Sequence, residues 1–135
     1  MTPAELLRHL LTKFPLIESV SSQENTFLFF GSERNFPIAT LVTNDEYDRH
    51  SNLGRPDIYR LNIGASRETF QELFPNFADD DFLDYTEIDV VLPHPVYGKM
   101  NWICVLNPGP ESLAVTERVL GEAYLKNLAR KAGEA

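Results

Sequence analysis

Two groups of residues in this chain have the types and spacing to do chemistry. The first is Arg60 and Asn62 in the segment DIYRLNIG, whose other parity, Tyr59, Leu61 and Ile63, is apolar. Successive side chains of a strand point to opposite faces, so Arg60 and Asn62 share one. A guanidinium presents a rigid fork of donors that matches carboxylate or phosphate. A face holding both residues is either bathed in water, with Arg60 in a surface ion pair, or lines a polar cavity. In the cavity Arg60 needs a partner, because an isolated buried charge is very costly. Asp45, Asp48, Asp57 and Glu87 are the acids that could serve.

The second group lies in PHPVYGKMNW, residues 93–102, which holds His94, Tyr97 and the only tryptophan, Trp102. Prolines on both sides of His94 restrict its backbone and lower the ordering cost of presenting an imidazole. A rigid loop aiming His94 and Tyr97 into a cleft walled by Trp102 is one reading. The plainer one is a stiff turn leading into the strand WICVL, with His94 bonded to a carbonyl and Trp102 in the core.

Ahead of the first group, between two predicted strands, runs NDEYDRHSNLGRPD, long enough to be a functional loop, with Arg49 as a second cation. Asp45, Asp48 and His50 match no EF-hand or zinc spacing, so turn formation, capping and ion pairing are their expected roles and no metal or cofactor is expected. The chain has no GxSxG, HExxH or CxxC motif and no glycine-rich phosphate loop. Cys104, in the middle of WICVL, reads as a buried, unreactive thiol.

These groups must be held by one domain spanning residues 1–135, a length that suits a single core. A net charge of −8, with only 12 scattered Lys and Arg, disfavours nucleic acid and anionic membranes as partners. A single cysteine, no leader-like N-terminus and no apolar run near the roughly 20 residues of a membrane span point to the cytoplasm.

Thr2, Pro3 and Glu5 predict the capped start of a helix ending at Pro15, with Leu6, Leu7, Leu10, Leu11 and Phe14 as its apolar stripe. IESVSS and NTFLFFG predict a strand pair turning at 22–25. FPIATLVT, DIYRLNIG and WICVLN predict further strands. RETFQELF reads as a short helix capped by Ser66. A long helix follows Pro110, buried through Leu113, Thr116, Leu120, Ala123, Tyr124 and Leu128. Residues 79–89 carry six carboxylates and no cation, which predicts a solvated loop pinned by Phe77, Phe82 and Tyr85. Short turns between neighbouring strands make the sheet mainly antiparallel, an α+β architecture with N- and C-terminal helices packed on it.

The blocks FPIATLVTNDEYDRHSNL, RPDIYRLNIGASRETFQELF and PHPVYGKMNWICVLNP resemble, in that order, a widespread family of small bacterial proteins that has no established activity. The resemblance covers roughly residues 27–125 and implies no catalytic residues. More distantly, the order of elements is similar to the MmcQ/YjbR fold. Members of that group have been suggested to bind DNA, which the acidic charge of this chain argues against.

The function expected from the residues is a non-enzymatic binding module, a monomer or weak homodimer. Its cleft would be formed by Arg60, Asn62, His94, Tyr97 and Trp102, with Arg49 beside them. A small polar or anionic ligand, or a protein partner, would occupy it. The alternative is a small enzyme in which His94 is general acid or base and Arg60 stabilises an anionic substrate.

Overall fold

In the computed structural model, which describes residues 1–79 and 82–134, the chain begins with the helix its capping residues predict. The Thr2 hydroxyl accepts from the Glu5 amide at 3.1 Å, and the Glu5 carboxylate accepts from the Thr2 amide at 3.0 Å. This capping box launches α1 (Pro3–Lys13). The strands are β1 (Ile17–Ser22), β2 (Asn25–Phe30), β3 (Ala39–Val42) and β4 (Arg60–Gly64), followed by α2 (Arg67–Leu73), β5 (Leu92–Pro93), β6 (Trp102–Leu106) and α3 (Leu113–Glu134). They form one antiparallel sheet in the order β1-β2-β3-β4-β6-β5. The class is the expected α+β.

One face of the sheet carries the helices. Leu28, Phe30, Ala39, Leu41, Leu61, Ile63, Ile103 and Val105 pack with Leu6 and Leu10 of α1, Phe70 of α2 and Val119, Leu120 and Tyr124 of α3. Each follows from strand parity or from three- and four-residue helical spacing. Tyr124 ties the layers together: its ring meets Phe14 and Phe30 at 5.3 and 5.5 Å, and its hydroxyl accepts from the Leu16 amide. His9 and Lys13 of α1 both reach Glu117 of α3, at 2.5 and 2.7 Å. Among the described residues, no helix is long and apolar enough to cross a membrane.

The β1–β2 hairpin turns on Gln23 and Glu24, both at positive φ (53° and 66°). A two-residue turn of this kind favours Asn-Gly, because other residues are strained there. The strain is tolerated because side chains just past the end of β3 grip the turn's carbonyls: Asn44 donates to Gln23 at 2.9 Å and Thr43 to Glu24 at 2.7 Å. Those bonds use only the turn's backbone. Gln23→Asn with Glu24→Gly is therefore expected to raise stability by about 1 kcal/mol. Urea denaturation should show a higher midpoint at unchanged slope; an unchanged midpoint would mean the turn is not strained.

Several segments depart from the sequence-based expectation: β3 begins at Ala39, not at Phe36, and the short strand β5 was not expected. β4 begins at Arg60, not at Asp57, because Asp57 sits at φ 61° and the Tyr59 amide donates to the Asn107 side chain at 3.0 Å. In the acidic stretch Phe77 is packed, but Phe82 is fully exposed and pins nothing. Asp80 and Asp81 lie outside the described residues. Another acid in the stretch has a structural task. Asp89 accepts from the Gly109, Ser112 and Glu111 amides at 2.8, 2.9 and 3.0 Å and from the Ser112 hydroxyl, so its carboxylate sits at the start of α3. Burial opposes its charge, yet the Ser112 hydroxyl and these amides hold its pKa below the ordinary value.

Candidate functional site

Helices α1, α2 and α3 pack on the first face of the sheet, and the second is covered by loops. Antiparallel register lines up Phe27, Thr40, Asn62, Cys104 and Leu92 across five strands. The neighbouring row runs Val42, Arg60, Leu106. Arg60 and Asn62 are thus placed by strand alternation alone, opposite Leu61 and Ile63. Two loops fold over this face and bury it: residues 43–59 and residues 94–101.

The first loop is seated by a small second core of Val42, Leu53 and Leu106 with Ile58, and by Asp45, whose carboxylate accepts from the Leu53 amide at 3.0 Å. That seating turns Asp48 and Ser51 inward. Asp48 grips Arg60 with both oxygens, at 3.0 Å to Nη1 and 2.5 Å to Nη2. Arg60 Nη1 also donates to Ser51 Oγ at 3.0 Å, and Nε donates to Asn62 Oδ1 at 2.9 Å. Asn62 passes the chain on, donating to Thr40 Oγ1 at 3.0 Å. Four of the five guanidinium N–H groups are thus committed inside the protein. Arg60 is only 2% exposed, so this is a buried, neutralised pair at the floor of the face. Burial alone would raise the Asp48 pKa; the hydrogen bonds and charge of Arg60 outweigh it and hold the carboxyl below its ordinary value.

The second loop closes the β5–β6 hairpin. The His94 amide donates to the Trp102 carbonyl, the Gly98 amide to the His94 carbonyl and the Trp102 amide to the Tyr97 carbonyl. Asn101 turns the chain at φ 69°. Gly98 allows the close approach of this turn to Phe77: a Cβ there would lie 3.1 Å from the ring. Within the loop His94 is an acceptor. Its Nδ1 takes hydrogen bonds from the Val96 and Tyr97 amides, each at 3.0 Å. With Nδ1 occupied by two donors, the ring proton belongs on Nε2. Burial, then the positive charge of Arg60, push the His94 pKa down to about 4, so the ring is neutral at pH 7. No described residue accepts from Nε2, and because no buried side-chain polar atom is left without a partner, Nε2 is reached from the open space above the floor.

That space is a cleft of about 490 Å³. Its floor is Arg60, Asp48, Asn62, Thr40 and His94; its walls are mainly aromatic, with Phe27, Tyr47, Tyr97 and Trp102 among them. Phe27 and Tyr47 meet edge to face, and the Tyr97 ring packs on His94 at 5.1 Å. Trp102 leans across Gly64, its partner in the ladder, where a Cβ would stand 3.2 Å from the indole. The rim leaves Phe36 85% and Met100 62% exposed.

Five of the residues singled out from the sequence, Arg60, Asn62, His94, Tyr97 and Trp102, line this one cleft. Arg49 does not. It is exposed and absent from the lining, because its neighbour Asp48 is the residue turned inward. Thr40, Phe27, Phe36, Tyr47 and Met100 were not picked out for the site. Strand parity links Thr40 to Asn62, but nothing local marks the others. His50 packs on Tyr85 and does not line the cleft. Among the described residues no three His, Cys, Asp or Glu side chains gather to hold a metal ion. Cys104 is buried beneath the floor with its pKa raised to about 12, chiefly by burial.

Fold and site together define a class: an α+β protein in which the sheet face opposite the three α-helices is folded over by two loops into an aromatic-walled cleft. The chain belongs to a family of unknown function, DUF6194, whose model matches residues 1–135. No curated protein and no solved structure matches it, so the likeness to MmcQ/YjbR rests on element order alone.

Proposed function

We propose that this protein is a binding module of the cytoplasm and that the cleft between the 43–59 and 94–101 loops holds a small ligand. One observation carries the reading. A histidine only 6% exposed keeps an unpartnered Nε2–H facing a cleft of about 490 Å³ walled by aromatic rings. Among the described residues no buried side-chain polar atom lacks a partner, so this Nε2–H is open to the cleft, where water or a ligand oxygen accepts from it. The volume is in the range of small-molecule sites, as is a lining of aromatic walls and a few convergent polar groups.

The enzymatic alternative asks His94 to move a proton and Arg60 to stabilise an anion. Neither group is arranged for it. A base needs a free lone pair, and the only one on the ring is taken by two amides. Arg60 already carries the Asp48 carboxylate. What the geometry offers instead is a fixed, neutral hydrogen-bond donor.

A thermal-shift screen tests the proposal, using a fragment library on the wild type and on the rim variants Tyr97→Ala and Phe36→Ala. Both side chains are at least half exposed, so both variants should fold. A ligand at ten times its Kd adds about 1.4 kcal/mol, or roughly 5 °C for a domain of this size. Hits should lose most of that shift in the variants. Hits that stabilise the variants as fully as the wild type would place binding elsewhere and remove the proposal.

A further inference from the structure

Resting on the binding-cleft reading, we infer that the ligand is uncharged and flat, an aromatic ring bearing a carbonyl acceptor such as a carboxamide or lactam, and that the cleft rejects the matching carboxylate. The acceptor sits on His94 Nε2–H, and the ring lies between the aromatic walls.

The charge balance of the cleft carries this. Among the described residues Arg60 and Asp48 are the only charged ones in the lining, and they are bonded to each other through both carboxylate oxygens. The Asp48 side chain is the more exposed of the two, 10% against 3% for Arg60, so a ligand carboxylate brought to the floor is repelled at least as directly as it is attracted. It still has to leave water for a buried site, which is costly for a charge without its own partner. The chain as a whole carries −8, which adds no attraction for an anion. A neutral carbonyl has neither handicap. It needs one donor, and His94 supplies one whose direction is set by the two amides on Nδ1. Trp102, Tyr97, Phe27 and Tyr47 offer faces and edges to a planar ring, which binds aromatic side chains in offset or edge-on contact.

The test uses matched pairs: benzamide and benzoate, nicotinamide and nicotinate, indole-3-carboxamide and indole-3-carboxylate. Each is titrated at pH 7.5 into nitrogen-15-labelled protein, following the Trp102 indole N–H, the Tyr97 amide and the His94 ring nitrogens. The amides are expected to bind about tenfold more tightly than their acids, because the acid must leave water as a charge with no partner of its own. His94→Asn keeps an acceptor for the two amides but lacks Nε2–H, and should bring the amides down to the level of the acids. Asp48→Asn uncovers the charge of Arg60 and should reverse the preference; the wild-type comparison stands without it if that variant fails to fold. Acids that bind the wild type as well as the amides do, with the same cleft resonances moving, would overturn the inference and leave the cleft as a binding site. No movement of cleft resonances with any of the six probes would overturn both.

Discussion

Asp48→Ala is expected to lower stability by about 3–5 kcal/mol, the usual cost of removing one member of a buried ion pair. The cost comes less from the lost attraction than from what stays behind. Arg60 is 2% exposed and cannot swing out to water, since it springs from a central strand between β3 and β6. Ser51 and Asn62 would still accept from it, but neither carries charge. Small domains have only about 5–15 kcal/mol in total, so this one change removes a large part of the margin. The double variant Asp48→Leu with Arg60→Met should recover most of the loss, because a buried pair and an apolar replacement of similar volume are close in energy. Denaturant unfolding of the single and double variants gives the coupling energy directly. A loss below about 1 kcal/mol for Asp48→Ala, the range of exposed pairs, would show that the 43–59 loop does not seat Asp48 as described.

The ion pair also shows what could be read from the chain and what could not. Alternation in DIYRLNIG was enough to put Arg60 and Asn62 on one face, because strand parity is a local property. Which of four acids would meet Arg60 was not legible. That choice depends on how a long loop is seated, through Leu53 packing on Val42 and Leu106 and through the Asp45–Leu53 bond. The same seating explains Arg49: once Asp48 faces in, the next side chain faces out. The capped helices and the hairpin turn were legible for the opposite reason, since caps and two-residue turns are set within a few residues. PHPVYGKMNW falls between these cases. Its stiffness was visible in its prolines, and it does lead into a core strand. The role of His94 was not visible. The plainer expectation had it bonded to a carbonyl; it accepts from two amides instead, which fixes the opposite ring nitrogen as the donor. That depends on the tight turn from residue 94 to 98, where Gly98 lies so close to Phe77 that a Cβ would stand 3.1 Å from the ring.

This arrangement of His94 makes the second large prediction, an acid-sensitive step in stability that one substitution removes. In the unfolded chain the imidazole takes up a proton near its ordinary 6.5, whereas in the folded protein it resists until about 4. Protonation at Nδ1 would set an N–H against two amide donors and place a second cation near Arg60. Between these pH values the unfolded state binds more protons, so stability falls as pH falls. The contribution is intact above pH 6.5 and lost on the way down to about 4; a shift of this size amounts to about 3 kcal/mol. Asp48 acts in the same direction at lower pH, because its carboxyl is held below its ordinary 3.8 in the folded state. Urea midpoints taken from pH 7.5 to 4 should therefore drop in the wild type. In His94→Asn, which keeps an acceptor for the Val96 and Tyr97 amides but does not titrate, they should fall much less across the same window. The acceptor matters to the comparison: His94→Ala would leave both amides unpaired and lower stability at every pH. Equal slopes for wild type and His94→Asn would mean that the ring is solvated and free to protonate, and the fixed Nε2–H donor on which the cleft depends would not exist.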